Sequence, residues 1–229
     1  LHFTDRRQRQ MCIRDRTPFD NTSFDHHRAI HQLNTYPATR GRAMRDKKDE
    51  PEHHELMAEL SVRVISIMDR RPTGKEIHGI THPGLFLIRS KLLDPTLDEN
   101  EGWIGADDPR MGPLSPIRKK DLSAEAQESL VEIVRESISI DEAVHLSFFN
   151  RAQPITLKMH SYQLLPGIGK SSAQQWVQKR GSVGWHDLQG VTDAIGQDAA
   201  SLLAERYVQE MDDPMQSPRL IDLVVRAGV

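Results

Sequence analysis

Leu164-Leu165-Pro166-Gly167-Ile168-Gly169-Lys170, followed by Ser171, Ser172 and Ala173, places two glycines one residue apart between two helical patterns. Pro166 stops the first pattern, because its ring breaks the hydrogen-bond ladder and pushes the residue before it out of the helical region. Gly167 and Gly169 reach backbone angles denied to other residues and let a ligand approach the main chain closely. Free N–H groups at the start of the next helix then face outward, where the dipole also favours an anion. A phosphate of a nucleic-acid backbone is the natural occupant. Ile168, apolar between the glycines, is expected to plug the space between the helices. The second helix is expected to begin near Ser171 and to bury Ala173, Trp176 and Val177, spaced i, i+3, i+4. Lys179 and Arg180 fall in its last turn, where cations suit the dipole, and Gly181 is placed to end it.

Gly167 to Ser171 superficially matches a nucleotide-binding P-loop. That loop needs a glycine where Leu164 stands and a strand before it. Thr156 to Leu165 lacks β-type alternation and reads as a short helix. A helix-hairpin-helix turn fits better. A helix-helix corner that packs without binding is the plain alternative.

Charge supports the binding reading. The chain is slightly acidic, with formal net charge −3 and pI ≈ 6.4, so no global field attracts nucleic acid. Yet Ala143 to His186 holds no Asp or Glu, while Arg151, Lys158, Lys170, Lys179 and Arg180 all lie within it. A locally basic face on an acidic chain is the footprint of a modest phosphate binder. The ordinary alternative is a solvated lysine face.

Phe148-Phe149-Asn150-Arg151-Ala152-Gln153-Pro154-Ile155-Thr156, then His160, then Leu164 to Lys170 resemble the DUF655 family, archaeal proteins expected to bind RNA. The likeness is dense over Phe148 to Lys170, thins over Trp176 to Arg180, Asp187-Leu188 and, backward, Asp121-Leu122 with the helix after it, and is weak between Leu60 and Lys119. It implies an OB-like barrel joined to a helix-hairpin-helix domain, RNA as ligand, and a setting in translation or ribosomal RNA maturation. This chain departs from the family in a barrel region poor in Tyr and Phe. Its loop with Asp94, Asp98, Glu99, Glu101, Asp107 and Asp108 is also acidic.

The remaining chain fills in an α+β architecture. At 229 residues there is room for one or two domains. A mean hydropathy of −0.56 and 5% aromatics predict that part of it is disordered. That part is placed at residues 1–55, with 1–16 resembling a translated sequencing adapter. His26, His27, His31, His53 and His54 lie there without repeated ligand spacing, so no metal is expected. The lone Cys12 excludes an internal disulfide. No apolar run approaches a membrane span, and a cytoplasmic protein is expected.

Residues 56–119 read as an OB-like β-barrel, with an SH3-like one as the alternative. Leu60, Val62 and Val64 alternate, then the phase slips to Ile65 and Ile67, as at a β-bulge. Leu85 to Leu93 and Trp103 to Gly105 read as strands. Residues 120–150 read as connecting helices. Ser123 caps the first, which buries Ala126, Leu130, Ile133 and Val134; the second runs from Asp141 to Phe149. Residues 151–212 form the hairpin domain, with Leu188 to Val208 as a degenerate second hairpin that packs and does not bind. Residues 213–229 read as a strand returning to the barrel.

The expected function is non-enzymatic binding of nucleic acid, RNA in preference to DNA, without base specificity. Gly167, Ile168, Gly169, Lys170 and Ser171 form the phosphate site, and Arg151 and Lys158 add attraction. The second reading is a protein-interaction adaptor on a ribosomal or transcription complex. No paired carboxylates or Ser/His/Asp set points to an enzyme, and no cofactor is expected.

Overall fold

The computed structural model describes residues 55–70 and 72–228. The expectations for the N-terminal tail, its histidines and Cys12 lie outside the described residues. Five antiparallel strands form one sheet: β1 (Ser61–Asp69), β2 (Lys75–His82), β3 (Leu87–Lys91), β4 (Trp103–Gly105) and β5 (Ser115–Pro116), in the order β4-β1-β2-β3-β5. The phase slip in β1 is a bulge: Val64 pairs with Gly79 and Ser66 with His78, leaving Ile65 as the extra residue. Ile65 therefore packs on the helical side, while Val62, Val64 and Ile67 join the opposite cluster. The sheet is open, with β4 and β5 as its edges. The expected closed barrel is not formed, because β4 and β5 are too short to curl the sheet onto itself.

Both faces are nevertheless covered. One packs Leu56, Leu97 and Met111 against Val62, Val64, Ile77, Phe86 and Ile88. The other brings Ile80, Leu85 and Leu87 into a core shared with the helices. Those helices are α1 (Ala124–Ile140), α2 (Glu142–Arg151), α3 (Lys170–Arg180), α4 (Leu188–Ile195) and α5 (Ala199–Asp212). Ser123 caps α1 by accepting from the Ala126 N–H, and Ala126, Leu130, Ile133 and Val134 are buried. Phe148 and Phe149 are buried on α2.

Two expectations are corrected. The chain end is helical, not a strand: Ile221–Val225 is a π-helical turn and Arg226–Gly228 a 3-10 turn. Glu210, fully buried on α5, accepts from the N–H groups of Leu220 at 2.8 Å and Ile221 at 2.9 Å. Amides so engaged at the start of a turn favour helix, and leave none for a sheet ladder. The end does return to the sheet side, where Arg226 donates to the Gly84 carbonyl and lies over the Phe86 ring.

Thr156 to Leu165 is also not a helix. A two-stranded hairpin, β6 (Pro154–Thr156) with β7 (Met159–His160), precedes one 3-10 turn, Ser161–Leu164. His160 caps that turn by accepting from the Tyr162 N–H, and Gln163 accepts from the His160 N–H. This reciprocal cap starts the helical turn only at Ser161.

Candidate nucleic-acid interface

The double-glycine turn sits between the 3-10 turn and α3. Gly167 has φ 71°, a left-handed conformation that favours glycine. Ile168 is buried and plugs the turn as expected. Its N–H, however, donates to the Leu165 carbonyl at 3.3 Å. Ile168 is thus a packing residue, and its amide is spent inside the turn.

Gly169 is the N-cap of α3, with φ −85° and no side chain to accept from the first turn. Its carbonyl takes the first helical bond, from the Ala173 N–H at 3.0 Å. A Ser, Thr, Asp or Asn at this position can accept from the leading amides through its side chain, which Gly cannot. Here, among the described residues, the N–H groups of Gly167, Gly169, Lys170 and Ser171 have no partner. Gly169, Lys170 and Ser171 are exposed. The next interhelical turn is the opposite case. Asp198 caps α5 and accepts from the N–H groups of Ala200 and Ser201. A carboxylate of the chain itself fills the place an anion would take.

The cations divide into three groups. Lys158, at the tip of the β6–β7 hairpin, and Lys170 are exposed and line one groove beside α3. Arg151 is exposed but lines a different groove, with Leu223 and Val224 of the C-terminal turn. Lys179 and Arg180 are structural. Lys179 donates to the Ala194 carbonyl on α4. Arg180 donates to the Ala152 carbonyl at 2.6 Å and, at 3.3–3.4 Å, to those of Asn150 and Phe149. It thereby caps the C-terminus of α2.

A buried frame holds the turn. The Tyr162 hydroxyl donates to the Phe149 carbonyl, and its ring meets Phe148 and Trp176 edge-on. Burial pushes the Tyr162 hydroxyl up to about 12, against the opposing charge of Arg180. Burial and Arg180 both lower the pKa of His160, which favours the neutral ring that accepts from the Tyr162 N–H. Asn150 pairs with both backbone groups of Trp185, and Glu142 accepts from the N–H of Leu188 at the start of α4. These last two polar anchors were missed in the sequence, where an Asn or Glu on a helix carries no sign of a distant backbone partner.

The acidic loop is tied to itself. Arg110 forks onto Asp108 at 2.8 Å and Glu101 at 2.7 Å. The hydrogen bonds from Arg110 hold the Asp108 carboxyl below its usual range. Among the described residues, no group of three or more His, Cys, Asp or Glu is placed to hold a metal, and no helix is long and apolar enough to cross a membrane.

A family model described as "Protein of unknown function (DUF655)" matches residues 112–220, which include the turn and all five helices. An uncharacterized protein of Methanocaldococcus jannaschii, MJ0038, is 28% identical over 151 residues, covering 63% of this chain and 69% of that protein. The crystal structure of Af1531 from Archaeoglobus fulgidus, also assigned to DUF655, superposes with a TM-score of 0.63 at 21% identity. It covers 71% of this chain and 99% of its own. That likeness carries the fold.

Proposed function

The chain belongs to the DUF655 family, and from that premise we propose that it is a non-enzymatic nucleic-acid-binding protein that grips a phosphate backbone at the turn before α3. In this reading Ser161 to Arg180 is a helix-hairpin-helix element whose first helix has shrunk to one 3-10 turn. The α4–α5 pair is its self-capped counterpart, and the open sheet is a relative of the OB barrel. The observation that carries the proposal is the uncapped start of α3. The N–H groups of Gly167, Gly169, Lys170 and Ser171 lack partners in a stretch of sequence without a carboxylate.

Oriented amides and a helix dipole favour an anion there. Lys170 and Lys158 add attraction that depends on no base. Arg151, on a separate groove, contributes at longer range. RNA rather than DNA is proposed from the family resemblance, as is a setting in translation or ribosomal RNA maturation. The adaptor reading is the second one; it draws on the acidic loop, where Arg110 pairs with two of the six carboxylates and cancels one charge.

Gly169→Asp tests the proposal. A Cβ at Gly169 meets nothing within 4 Å, so the position has room for a side chain, whose carboxylate then occupies the amides as that of Asp198 does on α5. The expected result is loss of binding to labelled RNA at low salt with a melting temperature no lower than that of the wild type. Unchanged affinity in the folded variant removes the turn from any account of this protein.

A further inference from the structure

Beside the uncapped turn, a groove of ≈ 490 Å³ lies between the β6–β7 hairpin and α3. Its apolar lining includes Met159, Ala173 and Val177. Gln174 and Gln178, one helical turn apart on α3, share a face of that helix and also line the groove. Among the described residues, neither carboxamide has a hydrogen-bond partner. No carboxylate lines the groove, and Lys158 and Lys170 do. At the hairpin tip, next to Lys158, Leu157 is fully exposed, at 107%.

Apolar surface beside free carboxamides matches a flat heteroaromatic ring with donors and acceptors on its edge. Flanking cations match the phosphates on either side of that ring. We propose that this groove takes one unpaired base of a single-stranded nucleic acid whose phosphates engage Lys158 and Lys170. This deepens the phosphate-binding reading and rests on it. Carboxamides form paired hydrogen bonds with base edges. In an A-form duplex those edges are already paired and the deep groove is closed to side chains, so only an unstacked base enters.

The test titrates a short labelled RNA of mixed sequence, alone and annealed to its complement, against the wild type, Gly169→Asp and Gln174→Ala/Gln178→Ala. Both glutamines are exposed on α3, and alanine preserves the helix. The expected result is about ten-fold tighter binding of the single strand than of the duplex. The double-glutamine variant is expected to lose that preference at an unchanged melting temperature while keeping its duplex affinity. Equal affinity for strand and duplex, both abolished by Gly169→Asp, overturns the groove proposal and leaves the phosphate site standing. A single-strand preference that survives in the double-glutamine variant also overturns it. Binding of neither RNA by the wild type overturns the underlying reading as well.

Discussion

Arg180, in the last turn of α3, donates to the carbonyl oxygen of Ala152, just past the end of α2, at 2.6 Å. It also reaches the carbonyls of Asn150 and Phe149. The guanidinium thus supplies donors to orphan acceptors at a helix end, with its charge matched to the negative pole of α2. A residue that looks like part of a phosphate-binding face is a bracket between helices.

Arg180→Ala is therefore expected to lower the unfolding free energy by about 2 kcal/mol, the scale of hydrogen bonds from a charged donor. It should leave the salt dependence of RNA binding unaltered. Lys170→Gln should do the reverse, sparing stability and reducing the slope of log affinity against log salt by about 0.7. Urea melts and salt titrations of both variants check the division. A salt slope altered by Arg180→Ala would return that residue to the interface.

The two glycines of the turn are expected to separate cleanly. Gly167 holds φ 71°, so Gly167→Ala costs about 1 kcal/mol despite the open space around it. Gly169 holds an ordinary φ of −85° in open space, so Gly169→Ala carries no backbone strain; its gain through the unfolded chain is offset by alanine's poor fit at an N-cap, and stability is expected to change by less than about 0.5 kcal/mol. Chemical denaturation of the pair reads the difference. Equal effects would contradict the backbone geometry.

Acid should loosen the fold through His145. Its Nδ1 lies 3.1 Å from the Tyr207 hydroxyl in the core, and burial pulls its pKa down from 6.5 to about 4, with Asp141 opposing and His82 assisting. The unfolded chain binds this proton near pH 6.5 and the folded chain does not. Stability from the neutral ring is thus present above that value and lost as pH falls toward 4, by up to about 3 kcal/mol. Glu59 acts oppositely, because burial raises its pKa and stability then falls as pH rises through 4.5 and above. Comparing the wild type with His145→Gln, which still offers Tyr207 a partner, isolates the histidine. Its stability should be flatter between pH 6.5 and 4.

Glu210→Ala should be the most damaging of these changes. Fully buried Glu210 meets Arg206 at 2.6 Å and accepts two backbone amides of the chain end. Removing it strands the buried Arg206 charge, which costs about 3–5 kcal/mol. The amides of Leu220 and Ile221 should then exchange faster in hydrogen-exchange measurements. Protection unchanged at those two sites would mean that the turn is held by its apolar contacts alone.

Local chemistry was legible in the residues themselves. The β1 bulge showed in the slip from Val64 to Ile65, the α1 cap in Ser123, and the end of α3 in Gly181, because each is set by neighbours a few positions away. The same holds for Gly167, whose angle follows from the turn it makes. What only tertiary structure decided depends on partners distant in the chain. Glu210 turns the expected C-terminal strand into helix, and carbonyls of α2 take Arg180 out of the basic face. The β6–β7 hairpin places Lys158 near α3 and leaves Arg151 on another groove. A side chain's type tells which bonds it can make. The packing of separate elements determines which partner it meets, and here that choice separated the cations that hold the fold from those left free for a ligand.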